Sequence, residues 1–89
     1  MALYDIEWKR SARKELKKLP RETIPKVMTA IGGLAEYPHP IGSRKIIGSE
    51  HACRIRIGDY RIVYSVESGR LVIEIIRVRH RKDVYRNLT

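Results

Sequence analysis

The sequence predicts an α+β fold: two N-terminal helices packed on one face of an antiparallel sheet of about four strands, in the order β-α-α-β-β-β. Three observations carry this. Cys53 to Tyr64 alternates apolar and polar residues on both sides of Gly58-Asp59, the pattern of a hairpin. Ala12, Leu16 and Leu19, then Ile24, Val27, Met28, Ile31, Leu34 and Ala35, recur at helical spacing. A third β-patterned run, Leu71 to Arg79, follows Ser68-Gly69. The 89 residues suffice for one modest core, so residues 1–89 are expected to form a single domain.

Taken in order, Leu3 to Trp8 alternates and predicts a first strand. Ser11 is a candidate cap for the first helix, whose outer face carries Arg13, Lys14, Lys17 and Lys18 and which Pro20 stops. The second helix starts near Glu22, with Thr23 as a candidate cap and Pro25 tolerated in the first turn. Gly32 and Gly33 each cost about 1 kcal/mol relative to Ala inside a helix, which points to close packing on the sheet or early fraying. Tyr37-Pro-His-Pro-Ile-Gly-Ser43 reads as an irregular loop, and Arg44 to Ile47 as an extension of the strand that follows.

A two-residue turn at Gly58-Asp59 pairs Ile57 with Tyr60, Arg56 with Arg61 and Arg54 with Val63. Summed with a second turn at Ser68-Gly69, this register places Ile55, Ile57, Tyr60, Ile62, Tyr64, Val66, Leu71, Ile73 and Ile75 on a core face. The other face, open to a ligand, carries Arg54, Arg56, Arg61, Val63, Ser65, Val72, Glu74, Ile76 and Val78. Arg56 opposite Arg61 is unfavourable by a few tenths of a kcal/mol to about 1 kcal/mol. Stability does not select such a pair; a polyanion lying across the sheet does.

Charge points the same way. Nineteen Lys and Arg against 10 Asp and Glu give +9. Residues 44 to 89 hold eleven of the basic residues, nine of them Arg, whose planar fork suits phosphate. The single Cys53 falls at an inward strand position and reads as a buried, inert thiol, which fits a reducing cytoplasm. No run of apolar residues is long enough to span a membrane, and no secretory leader is recognisable. His39, His51 and His80 lack ligand spacing, and no carboxylate pair or Gly-rich phosphate loop is placed for a metal or nucleotide cofactor, so none is expected.

The densest run of chemically capable side chains is Arg77-Val-Arg-His-Arg-Lys-Asp-Val-Tyr-Arg86. His80 is a candidate proton-transfer group near neutral pH, Arg81 a stabiliser of phosphorane-like charge, and Tyr85 a hydrogen-bond or stacking partner for a nucleotide. Taken singly, His80 and Tyr85 read more simply as a strand-end residue and an anchor. With Arg54, Arg56 and Arg61 at the same end of the sheet, and Arg79 and Lys82 as further RNA contacts, they point to a phosphodiester site.

Arg56-Ile-Gly-Asp-Tyr-Arg-Ile-Val-Tyr64, followed by Val78-Arg-His-Arg-Lys-Asp-Val-Tyr-Arg86, resembles the RelE/ParE superfamily of type II toxin-antitoxin toxins. The likeness runs through nearly the whole chain. In its RelE branch it implies a ribosome-dependent mRNA interferase that enters the vacant A site and, without metal, lets a ribose 2′-oxygen attack the adjacent phosphate. By position Arg61 and Arg81 match arginines that neutralise that phosphate, and Tyr85 matches a tyrosine that orients the nucleotide. The resemblance also implies an acidic RelB-like antitoxin and a toxin-antitoxin hetero-oligomer on operator DNA. Arg54 and Arg56 stand where the family pattern has lysines, one of them the proposed base. Arginine is too weak an acid to cycle as a base, so that role passes to His80 or, second, to Tyr85. Two other readings stay open: a ParE-like DNA gyrase inhibitor, and a degenerate toxin whose arginine face only binds RNA or antitoxin.

Overall fold

A computed structural model describes residues 3–80 and Lys82. The elements are β1 (Asp5–Trp8), α1 (Arg10–Lys17), α2 (Thr23–Glu36), β2 (Arg44–Lys45), β3 (Ala52–Ile57), β4 (Tyr60–Glu67) and β5 (Val72–His80). They build a five-stranded sheet in the order β1-β5-β4-β3-β2, with the helices on one face. The α+β class and the element order are those expected, with two refinements. Arg44-Lys45 does not extend β3 but folds back beside it, Arg44 opposite Arg54. The first strand lies parallel to the last, Asp5 beside Val72 and Trp8 beside Ile75.

The core forms where the helical stripes meet the inward side of the sheet. Ala12 of α1 and Val27, Ile31 and Leu34 of α2 pack on Cys53, Ile55, Ile62, Tyr64, Val66, Ile73, Ile75 and Val78. Met28, assigned to the stripe by spacing, is 44 % exposed instead. Gly32 and Gly33 lie within α2 on its exposed side, and a Cβ at either would meet nothing within 4 Å. Close packing therefore does not explain them, and the helix continues past both to Glu36. Neither expected cap forms: Ser11 and Thr23 sit inside their helices, which begin without side-chain capping bonds.

The Gly58-Asp59 hairpin has the expected register, Ile57 with Tyr60, Arg56 with Arg61 and Arg54 with Val63. Gly58 adopts φ 58°, a conformation that costs glycine little. The second hairpin departs from expectation at both ends. Its loop is wider, because Glu67 pairs with Val72, and Leu71 sits in the loop at φ 54°, 39 % exposed rather than in the core. Further along, a bulge gives Ile76 no partner: Val63 pairs with Arg77 and Tyr64 with Ile75. One extra residue reverses the alternation of everything after it. Val78, expected on the open face, is thereby 2 % exposed in the core, and Arg77 and Arg79 move to the face that carries Arg61.

Tyr64 is fully buried, with its hydroxyl donating to the Pro38 carbonyl at 2.8 Å, which ties the loop before β2 to the sheet. Burial, helped by nearby Cys53, pushes its phenol up from 10.0 to about 12, and burial also pushes the Cys53 thiol up. The folded state thus holds these protons more tightly than the unfolded chain. Their contribution is complete below the unfolded pKa values and is lost as pH rises towards the folded ones. Denaturation midpoints are expected to fall from pH 10 to 12, and Tyr64→Phe should flatten that fall. An equally steep decline in the variant would remove Tyr64 as its cause.

Candidate nucleic-acid interface

Two rows of arginine cross the sheet. Arg56 lies opposite Arg61 and Arg61 opposite Arg79, so three guanidinium-bearing residues stand on adjacent strands. The neighbouring row runs Arg44, Arg54, Val63, Arg77. Directly paired residues have Cα atoms about 4.5–5.5 Å apart, a spacing at which a single phosphodiester reaches two forks.

The members differ in exposure. Arg56 is exposed and Arg54 half-buried, as an outward position allows. Arg61, expected to lie open on the surface, is 6 % exposed. The physical reason is its central strand: flanked by both neighbouring strands, its long stem is covered while an edge arginine's is not. A cation withdrawn from water acts on a nearby anion more strongly than one in bulk solvent.

The residue that organises the far end of the row is Glu15. Where β1 stops at Trp8, the outer edge of β5 has no further strand, and α1 passes along it. Glu15 Oε1 accepts the Val78 N–H at 2.9 Å, supplying the acceptor that a neighbouring strand would have offered. Glu15 Oε2 accepts from Arg79 Nε at 2.6 Å and from Arg77 Nη1 at 3.5 Å. One half-buried carboxylate thus closes a sheet edge and holds two arginines. Sequence reasoning missed it, although it is the only acidic residue of α1, set among Arg13, Lys14 and Lys17. Glu15→Ala should destabilise the fold by about 1–3 kcal/mol, the usual effect of stripping a buried N–H and charged donors of their acceptor. Chemical denaturation measures this, and an unchanged midpoint would reduce Glu15 to a surface ion pair.

His80 ends β5 opposite Tyr60, so it shares the helix-covered face with Tyr60 and Val78, not the arginine face. Its ring meets Tyr60 edge to face, centroids 5.4 Å apart. The Lys82 N–H donates to His80 Nδ1 at 3.3 Å, which assigns the proton of the neutral ring to Nε2. Lys82 itself is exposed. Arg81 and Tyr85, the other two site residues expected from the sequence, lie outside the described residues. The structure therefore brings together Arg54, Arg56, Arg61 and Arg79, and sets His80 one residue away around the strand end.

Other candidates are less productive. Cys53, 3 % exposed, has its Sγ 3.8 Å from His39 Nδ1, and its raised pKa keeps it a thiol, the inert role expected. Among the described residues no three His, Cys, Asp or Glu come together as metal ligands, and no helix is long and apolar enough to cross a membrane.

Comparison with known proteins agrees with this architecture. The toxin RelG of Mycobacterium tuberculosis is 33 % identical over 87 residues, covering 93 % of this chain and 97 % of that protein. The toxin RelE of the same organism is 30 % identical over 84 residues, covering 93 % and 87 %. The archaeal RelE–RelB complex from Pyrococcus horikoshii contains a chain of the same fold, with a TM-score of 0.80, 27 % identity and coverage of 89 % of this chain and 96 % of that one. The family model described as "ParE toxin of type II toxin-antitoxin system, parDE" matches residues 6–85. With the fold, the arginine rows and these matches in agreement, the chain belongs to the RelE/ParE family of type II toxin-antitoxin toxins.

Proposed function

We propose that this toxin cleaves messenger RNA in the ribosomal A site, and that an acidic antitoxin restrains it by covering the arginine rows. The observation that carries the reading is the Arg56–Arg61–Arg79 row, three cations directly opposite one another on adjacent strands. The RelE and RelG names of its relatives support the choice of RNA, and the RelE–RelB complex supports an antitoxin partner.

In this reading Arg61 and Arg79 hold the scissile phosphate and neutralise the charge that grows on its oxygens. The 2′-oxygen of the upstream ribose forms a bond to phosphorus as the bond to the downstream 5′-oxygen breaks, leaving a 2′,3′-cyclic phosphate. Arg54 and Arg56 contribute charge and not proton transfer, since a guanidinium does not give up its proton near neutrality. His80 presents Nε2–H, because Nδ1 is engaged by Lys82. That makes it a hydrogen-bond donor to the departing 5′-oxygen rather than a base. Tyr85 orients the nucleotide and relays the 2′-proton to solvent, accepting it as its own hydroxyl proton passes to water. The departing 5′-oxygen takes a proton from water, Arg81 adds charge at the phosphate, and Lys82 contacts the backbone of the RNA.

The ParE name of the family model supports a second reading, inhibition of DNA gyrase. Primer extension on cellular messages after induction separates the two. Cuts that follow the reading frame support the nuclease; an SOS response without cuts assigns gyrase. Growth arrest with neither would leave a toxin that acts by binding alone.

A further inference from the structure

Around the edge of the sheet from the arginine row, a cleft of about 340 Å³ opens between the end of α1 and the ends of β4 and β5. Its walls differ in chemistry. Tyr60 and His80, locked edge to face, supply aromatic surface, and Leu19 and Val78 supply aliphatic surface. Glu15 and Lys18 place opposite charges at its margin, and Arg79 lines it while also belonging to the arginine row. A wall of flat and apolar groups with polar groups on one side suits a planar ring that carries hydrogen-bonding edges. The volume is at the small end of ligand sites, enough for one such ring and too small for a folded partner.

We propose that this cleft binds a nucleobase, that of the nucleotide on the 3′ side of the phosphate held by Arg61 and Arg79. The proposal rests on the nuclease reading and extends it to a base-recognition pocket. Arg79 connects the two sites: a phosphate on its guanidinium directs the attached nucleoside over the β5 edge, against Tyr60, where His80 Nε2–H meets the 5′-oxygen. Specificity follows from Glu15. A carboxylate has about four lone-pair sites, and three are engaged by Val78 N–H, Arg79 and Arg77. The fourth accepts an exocyclic amino group, as carboxylates do from cytosine and other amino-bearing bases. Uracil has no such group, so adenine, guanine and cytosine are favoured over it.

The test is an NMR titration of the full chain with adenosine 5′-monophosphate, uridine 5′-monophosphate and ribose 5-phosphate. The adenosine nucleotide should saturably shift the Leu19 and Val78 methyls and the Tyr60 ring. Ribose 5-phosphate should perturb the arginine row alone, and the uridine nucleotide should bind more weakly than the adenosine one. Tyr60→Ala should weaken adenosine nucleotide binding by about 5- to 150-fold, the effect of losing one base stack, while Tyr60→Phe preserves it. Leu19→Trp, which fills the cleft from the turn after α1, should reduce the adenosine nucleotide to the affinity of ribose 5-phosphate. Identical shift maps for nucleotide and sugar phosphate, or wild-type adenosine binding in Leu19→Trp, would overturn the pocket. Base binding in a chain that cuts no message would uphold the pocket and remove the nuclease reading, whereas codon-linked cutting without cleft shifts would do the reverse.

Discussion

Arg61→Ala is expected to reduce cleavage of messenger on programmed ribosomes by about 10²- to 10³-fold, the loss of one preorganised donor at a charged transition state. It should also lower the melting temperature. A stem covered on both sides by β3 and β5 leaves a void when truncated, and Arg61 is 6 % exposed. A change of about 1–3 kcal/mol is in proportion, and each kcal/mol moves the midpoint by about 4–8 °C in a chain of this size. Relief of repulsion from Arg56 and Arg79 offsets part of this, by a few tenths of a kcal/mol to about 1 kcal/mol per pair. Arg61→Lys separates the roles, because it retains charge and most of the stem but not the planar fork. Its stability should approach wild type while cleavage stays low. Calorimetry with single-turnover cleavage reads both, and full activity in the lysine variant would show that the fork is not used.

The second large effect concerns His80, where two chemistries predict different variants. A proton-transfer group contributes about 10²- to 10⁴-fold, and any residue that cannot titrate near neutrality loses all of it. A neutral donor acting through Nε2–H is different, because a glutamine amide places an N–H close to the same point. With Nδ1 occupied by the Lys82 N–H, the second behaviour is expected. His80→Ala should lower the single-turnover rate by about 10²- to 10³-fold, and His80→Gln should recover most of it. Equal losses in both variants would instead make His80 the acid or base. Rates unchanged in both would exclude the residue from the reaction.

The parts of the fold that were legible in the sequence are those governed by local rules. The Gly58-Asp59 turn fixes its hairpin because two residues leave only one register, and Arg56 opposite Arg61 follows from it. The two helical stripes were readable for the same reason, since periodicity reports which side faces a core. What was hidden depends on neighbours far along the chain. The bulge at Ile76 shows in the sequence only as two adjacent apolar residues, Ile75-Ile76, after which the alternation resumes in the opposite phase, yet it decides that Val78 is core and that Arg79 joins Arg61. That β3 and β5 flank Arg61 follows from the two hairpins, but how closely their side chains cover its stem depends on packing that no local pattern records. Glu15 was invisible because its partners, Arg77, Val78 and Arg79, lie more than 60 residues away. Of the site itself, the arginines were readable from type and spacing. The side of the strand that His80 occupies was not, because it follows from the bulge.

The pairing of β1 with β5 also constrains the order of events during synthesis. Asp5 to Trp8 have no strand to join until Val72 to Ile75 have been made, and Glu15 has nothing to clamp until Arg79 has followed. Closing a loop of that length comes late, after the two central hairpins are able to form by themselves. A nascent chain therefore leaves the exit tunnel with its amino end unanchored and its row of cations incomplete. Topology thereby withholds the complete arginine row, and the carboxylate clamp that holds it, until β5 has been made and has joined the sheet.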